Sequence, residues 1–160
     1  MTVHEAERVQ TRFKQKIDVS SVRKVILLRT TWYPEVVDAL ESSAQDYLIS
    51  AGVPVDGISV HAVPGSFELP LAAQLAIQKQ SPDFVVALGC IVEGGTPHFH
   101  YVCQAVTNAL MQVQLETGVP VGFGVLTVNT LEQALERKNK GAEAAAAALM
   151  MALKFKGTNK

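Results

Sequence analysis

Short apolar runs rich in β-branched residues alternate along the chain with longer segments in which apolar residues recur every three or four positions. Four such runs are Val25–Arg29, Ile58–Val63, Phe84–Cys90 and Val119–Thr127. Nearly continuous apolar runs are typical of parallel strands covered on both faces. The pattern therefore predicts four strands buried on both faces.

The segments with helical spacing lie between and after these runs. They predict helices over 34–48, 68–79, 98–117, 131–137 and 141–155. Pro34 suits the first turn of a helix, and Gly118 suits the stop of the third. The last helix is rich in alanine and apolar nearly all round, which predicts packing on both of its sides.

Strands that alternate with helices indicate a parallel sheet with helices on both faces. We predict a single α/β domain over 22–156: a three-layer sandwich with a flavodoxin-like, parallel, four-stranded sheet. Residues 1–21 and 157–160 are predicted to be tails. Apolar residues three or four positions apart in the first tail fit either an amphipathic helix or a segment docked on a neighbouring subunit.

Composition limits the partners and the cellular location that we expect for the protein. The 160 residues carry 14 basic and 15 acidic side chains, which removes the main reason to expect a nucleic acid or an anionic membrane as partner. No apolar run is long enough to span a membrane, and the N-terminus has no apolar signal core, so we expect a cytoplasmic protein. A hydrophobic content of 48% is high and indicates subunit contacts.

The unusual residues follow the predicted strands, at the sheet edge where ligands bind in such folds. Gly94 and Gly95 lead into a helix, and the N–H groups there, with the Thr96 hydroxyl, could bind an anion. An ordinary tight loop that needs glycine is the alternative. The stretch matches neither a Walker A loop nor a dinucleotide-binding motif.

His98 begins the helix that follows this loop. A helix N-terminus disfavours the imidazolium, so a neutral ring that moves protons is one hypothesis and a solvated histidine the other. His98 and His100 are two positions apart, which places them on different faces of the helix. Cys90 and Cys103 complete no recognisable ligand spacing, so we expect no metal site and two reduced thiols.

Other candidates each have a structural alternative. Trp32 could stack on a planar heterocycle or lie in the core. Glu68 could face a ligand or stabilise its own helix. Arg137, with Lys140, could bind phosphate or end a solvated helix. Phe123 lies inside an apolar strand and by default belongs to the core.

Four stretches in register resemble the lumazine synthase family: VPGSFELPLAA, ALGCIVEGGTPHFHYVC, LETGVPVGFGVLTVNTLEQALER and NKGAEAA. The resemblance extends over about residues 24–155. It implies condensation of 5-amino-6-(D-ribitylamino)uracil with 3,4-dihydroxy-2-butanone 4-phosphate to 6,7-dimethyl-8-ribityllumazine, phosphate and water. It implies no metal or organic cofactor.

The resemblance also implies roles for individual residues. His98 matches the residue that transfers protons. The pyrimidine and ribityl group would be bound by Trp32, Ser66, Phe67, Glu68, Cys90, Ile91 and Val92, with Phe123 supplied by the neighbouring subunit. The butanone phosphate would be bound by Gly95, Thr96, Arg137 and Lys140. The implied assembly is a pentamer or a multiple of pentamers, and riboflavin synthase is a candidate partner.

Three features depart from the family pattern. Glu93 stands where many members have a basic residue, and His100 stands where many have a carboxylate. The connection between Arg137 and Lys140 is about five residues shorter than is usual, which puts Lys140 in doubt. These departures leave two rivals open: a flavin- or lumazine-binding protein without catalysis, and a protein that mainly builds a shell. A signalling receiver domain is disfavoured, because no acidic cluster follows the predicted strands.

Overall fold

The computed structural model describes residues 18–155, in which strands alternate with helices until the last strand, and two helices follow it. The elements are β1 (Val25–Thr30), α1 (Pro34–Ser50), β2 (Ile58–Val63), α2 (Leu69–Gln80), β3 (Phe84–Val92), α3 (His98–Thr117), β4 (Val121–Val128), α4 (Leu131–Leu135) and α5 (Lys140–Phe155). Single 3-10 turns precede β2 (Val55–Gly57) and α2 (Ser66–Glu68). Most of the first predicted tail, residues 1–17, and all of the second, 157–160, lie outside the described residues.

All four strands are parallel, in the order β2-β1-β3-β4. Val25 of β1 pairs with Ile58 of β2 and with Phe84 of β3, which fixes the register at the start of the sheet. One core cluster joins the sheet to α1 and α5, and the other joins it to α2 and α3. The predicted three-layer α/β fold is confirmed. None of the described helices is both long and apolar enough to cross a membrane.

The strands differ from the prediction in their bounds and in their burial. β1 ends one residue later than predicted, at Thr30, and β4 runs from Val121 to Val128 instead of from Val119 to Thr127. β3 continues to Val92, because Ile91 and Val92 pair with Thr127 and Val128 of β4. The prediction that every strand is buried on both faces is wrong for β2, where His61 is exposed, and for β4, where Phe123 and Thr127 are exposed. Both are edge strands with a neighbour on one side only, so their apolar sequences do not translate into full burial.

The last helix is packed closely on one side only. A β carbon on Gly141 would lie 1.9 Å from the carbonyl oxygen of Leu40 in α1, so the two helix backbones nearly touch there. The opposite side exposes Ala147, Met150 and Met151. The prediction of packing on both sides is therefore wrong within one chain, because the sheet and α1 cover a single face of α5.

Candidate active site

A cleft of about 390 Å³ opens beyond the carboxyl ends of β1 and β3. The parallel strands end at the same edge, which brings together segments far apart in the sequence. Nine of the residues proposed for the site line this cleft: Trp32, Ser66, Phe67, Glu68, Cys90, Ile91, Val92, Thr96 and His98.

Trp32 lies at the rim of the cleft with 66% of its surface exposed, so the alternative of a core tryptophan is wrong. The next residue, Tyr33, has φ 56° and ψ 61°, a left-handed conformation that non-glycine residues adopt at a cost of about 1–3 kcal/mol. Tyr33 also lines the cleft and packs against the core, which anchors the turn carrying Trp32. No sequence signal predicts this conformation for a tyrosine.

The 3-10 turn Ser66–Glu68 forms a second wall. Ser66 is buried, whereas Phe67 is 64% exposed. A β carbon on Gly65 would lie 3.1 Å from Glu68 Oε2 and 3.7 Å from the indole nitrogen of Trp32. The carboxylate and the indole therefore flank Gly65, a cleft residue that the sequence analysis did not assign to the site.

Cys90 lies at the floor of the cleft and is buried. Burial raises the pKa of its thiol to about 11, and the nearby Glu35 carboxylate adds to the shift. The sulfur therefore stays protonated and neutral at physiological pH, so it can contact a ligand but is a poor nucleophile.

The loop after β3 is open. Nothing lies within 4 Å of a β carbon built on Gly94 or Gly95, and neither glycine has a positive φ. The alternative explanation, a tight turn that requires glycine, is therefore wrong. The missing side chains leave the backbone accessible, and His98 follows as the exposed first residue of α3. Val102, one turn after His98, also lines the cleft, and its helical spacing could have identified it.

Gly95 belongs to the loop after β3 but is not among the residues that line the cleft, and the other three candidates lie elsewhere. Phe123, Arg137 and Lys140 line a groove along the free edge of β4, between that strand and α5. Among residues 18–155, none lines both the groove and the cleft. Phe123 is 45% exposed, so its interpretation as a core residue is wrong. β4 is an edge strand with a neighbouring strand on one side only, so part of the Phe123 side chain is left uncovered.

Hydrogen bonds orient both cations of the groove. Arg137 Nη1 donates to the carbonyl oxygen of Gln133 at 2.7 Å, and its side chain is 45% exposed. Lys140 Nζ donates to Glu143 Oε2 at 2.6 Å. Arg137 Nη1 also lies 3.6 Å from Glu136 Oε2, so both cations have a carboxylate partner. The guanidinium still has further N–H donors that could bind an anion.

The cleft has no cation of its own. No lysine or arginine is among its described lining residues, whereas Glu68 contributes a carboxylate. Arg29, near the end of β1, is bound to Asp38 and Glu41. Within residues 18–155, no group of three or more histidine, cysteine or acidic side chains could hold a metal ion. The described lining of the cleft therefore offers an anionic ligand backbone and hydroxyl donors but no lysine or arginine.

Comparison with known proteins gives one consistent result. The sequence model of the family described as 6,7-dimethyl-8-ribityllumazine synthase matches residues 22–156. A 6,7-dimethyl-8-ribityllumazine synthase of Streptomyces coelicolor is 46% identical over 136 residues, which cover 81% of this chain and 83% of that protein.

Proposed function

Because this chain belongs to the 6,7-dimethyl-8-ribityllumazine synthase family and is a transferase of riboflavin biosynthesis, we propose a role in that reaction for each residue of the site. The reaction joins 5-amino-6-(D-ribitylamino)uracil to 3,4-dihydroxy-2-butanone 4-phosphate. It yields 6,7-dimethyl-8-ribityllumazine, phosphate and water.

The cleft binds the aromatic substrate. Trp32 stacks on the pyrimidine ring, for which a flat, exposed indole at the rim is well placed. Ser66, Phe67 and Glu68 contact the ribityl chain, whose hydroxyls suit a carboxylate and a serine. The ring lies against the floor formed by Cys90, Ile91 and Val92.

The phosphate is bound between two subunits. Gly95 and Thr96 offer backbone and hydroxyl donors on one subunit, and Arg137 of the neighbouring subunit supplies the charge, with Lys140 beside it. The observation that supports this most is that the cleft has no lining cation, whereas Arg137 lies on a separate groove. Phe123 comes from that same groove and completes the pyrimidine site.

The assembly is a pentamer or a multiple of pentamers, with its active sites at the contacts between adjacent subunits. Exposed apolar side chains beside the cleft support such a contact, among them Phe67 and Tyr101, which are 64% and 71% exposed. The protein acts in the cytoplasm, where riboflavin synthase would consume its product.

His98 transfers protons during the reaction. The amine of the uracil attacks the ketone and expels water, which forms an imine without any protein nucleophile. His98 then accepts a proton from the carbon skeleton as the phosphate leaves to the anion site. The ribitylamino nitrogen closes the ring on the remaining carbonyl carbon and expels a second water. Much of the acceleration comes from holding the two substrates in register.

A turnover assay tests this function. The purified protein is mixed with both substrates, and the fluorescence of the lumazine is followed against the spontaneous reaction. Protein-dependent lumazine formation above that background is the expected result. Tight flavin or lumazine binding without any acceleration would instead identify a binding protein.

A further inference from the structure

The short connection between α4 and α5, residues 136–139, contains Arg137 and is hydrogen-bonded to α1. Ser43 of α1 lies 95 positions before Lys138, and its Oγ is 3.0 Å from the Lys138 carbonyl oxygen. The same Oγ is 3.0 Å from the carbonyl oxygen of Leu40, so one proton is shared between an acceptor in α1 and an acceptor in the connection. α1 therefore binds the connection at the residue that directly follows Arg137.

The start of α5 packs against the same serine. A β carbon on Gly141 would lie 2.6 Å from Ser43 Oγ, so the hydroxyl occupies the space beside this glycine. Ser43 is half-buried there, and Gly141 is buried. The hydroxyl therefore has little room to turn away from the Lys138 carbonyl oxygen.

Hydrogen bonds fix Arg137 within the connection. Its backbone N–H donates to the carbonyl oxygen of Ala134 at 2.9 Å, and its own carbonyl oxygen accepts from the Lys140 N–H at 3.0 Å. Its guanidinium Nη1 donates to the carbonyl oxygen of Gln133 at 2.7 Å. Because the guanidinium and the backbone of Arg137 are both bound to this turn, a shift of the connection also shifts the guanidinium.

We propose that Ser43 is a positioning residue that sets the affinity for the phosphate of the butanone substrate by holding Arg137 in place. The proposal rests on the phosphate-binding role proposed above for Arg137. Ser43 is among the described lining residues of neither the cleft nor the groove, so it acts through Arg137 and not on the substrate. A guanidinium binds phosphate through directional hydrogen bonds, which weaken when the distance or the angle changes.

The test compares the steady-state kinetics of the wild type, Ser43→Ala, Arg137→Gln and the double variant. Ser43→Ala should raise KM for the butanone phosphate about threefold and leave kcat and KM for the uracil substrate unchanged, because only the phosphate contact is weakened. Arg137→Gln should raise the same KM about tenfold. The double variant should also show about a tenfold rise, whereas two independent effects would multiply to about thirtyfold.

Ser42→Ala is the matched control, because it removes a hydroxyl from the neighbouring position of the same helix. Ser42 is exposed, and its Oγ lies 3.5 Å from Asp46 Oδ2, within α1. This variant should leave both KM values unchanged. Alanine is the best helix former, so neither serine substitution should weaken α1 itself. All assays are run well below the Tm of each variant, which keeps unfolded protein out of the comparison.

Three results would overturn the proposal while the phosphate-binding role of Arg137 stands. These are an unchanged KM in Ser43→Ala, equal rises in both of its KM values, and a thirtyfold rise in the double variant. An unchanged KM in Arg137→Gln would instead refute the role of Arg137, and the positioning role of Ser43 with it.

If the wild type formed no lumazine, the proposed function would fail separately. Calorimetric binding of inorganic phosphate to the same four proteins would then decide the positioning role. A Kd that Ser43→Ala raises only while Arg137 is present would support it, and a Kd that Ser43→Ala leaves unchanged would refute it.

Discussion

The close approach of α1 and α5 makes Gly141→Ala the most informative stability variant. Gly141 lies in the first turn of α5, directly after Lys140 and the short connection from Arg137. Its added β carbon would lie 1.9 Å from the carbonyl oxygen of Leu40 and 2.6 Å from Ser43 Oγ. Alanine is otherwise the best helix former, so the substitution isolates the contact between the helices.

The distances in this clash set the expected loss of stability. Ordinary contact begins at about 3.4 Å, so the two helix backbones must separate by about 1.5 Å or α5 must rotate. Overpacking of this kind costs about 1–3 kcal/mol. The single hydroxyl proton of Ser43 is shared between the carbonyl oxygens of Leu40 and Lys138, each 3.0 Å from Oγ, and losing this bond adds about 1 kcal/mol. We expect a loss of about 2–4 kcal/mol, or roughly 5–12 °C in Tm for a domain of this size.

Denaturant and thermal unfolding at a fixed protein concentration measure the loss. Gly94→Ala is the control, because nothing lies within 4 Å of its added β carbon and its φ is not positive. Since Ser43 holds the carbonyl of Lys138, Gly141→Ala should also raise KM for the butanone phosphate by displacing Arg137. Equal stability of the two alanine variants would refute the close contact between α1 and α5.

Four further predictions concern the site. His98→Ala should lower kcat about 100-fold yet leave measurable turnover, because positioning of the two substrates remains; full activity would exclude proton transfer by His98. Arg137→Gln should raise KM for the butanone phosphate about tenfold, with an unchanged KM counting against phosphate binding. Burial raises the pKa of Cys90 to about 11, so roughly one thiol in a thousand is ionised at pH 8. Iodoacetamide should therefore alkylate Cys90 slowly, and Cys90→Ser should keep the wild-type kcat between about pH 6 and pH 9. Rapid alkylation would contradict this. Gly65→Ala places a β carbon 3.1 Å from Glu68 Oε2 and should raise KM for the uracil substrate while leaving Tm unchanged; a parallel loss of Tm would show a folding defect instead.

The order and type of the elements could be predicted from the sequence because they depend on local patterns. Apolar runs alternate with segments of helical spacing, a proline marks the start of the first helix, and a glycine marks the end of the third. The structure has these elements within a few residues of their predicted bounds. The gathering of Trp32, Ser66 and His98 at one edge also follows from sequence, because parallel strands all end on the same side.

Which surfaces are covered depends on tertiary packing and not on local sequence patterns. Hydrophobic spacing records that Phe123 and Met150 are apolar, but not that the chain leaves them exposed, at the free edge of β4 and on the open face of α5. The left-handed turn at Tyr33 follows from no residue preference. The separation of a cleft without cations from a groove that holds Arg137 depends on the order of strands in the sheet. The burial of a side chain depends on which residues folding brings into contact with it, and local sequence patterns do not specify those residues.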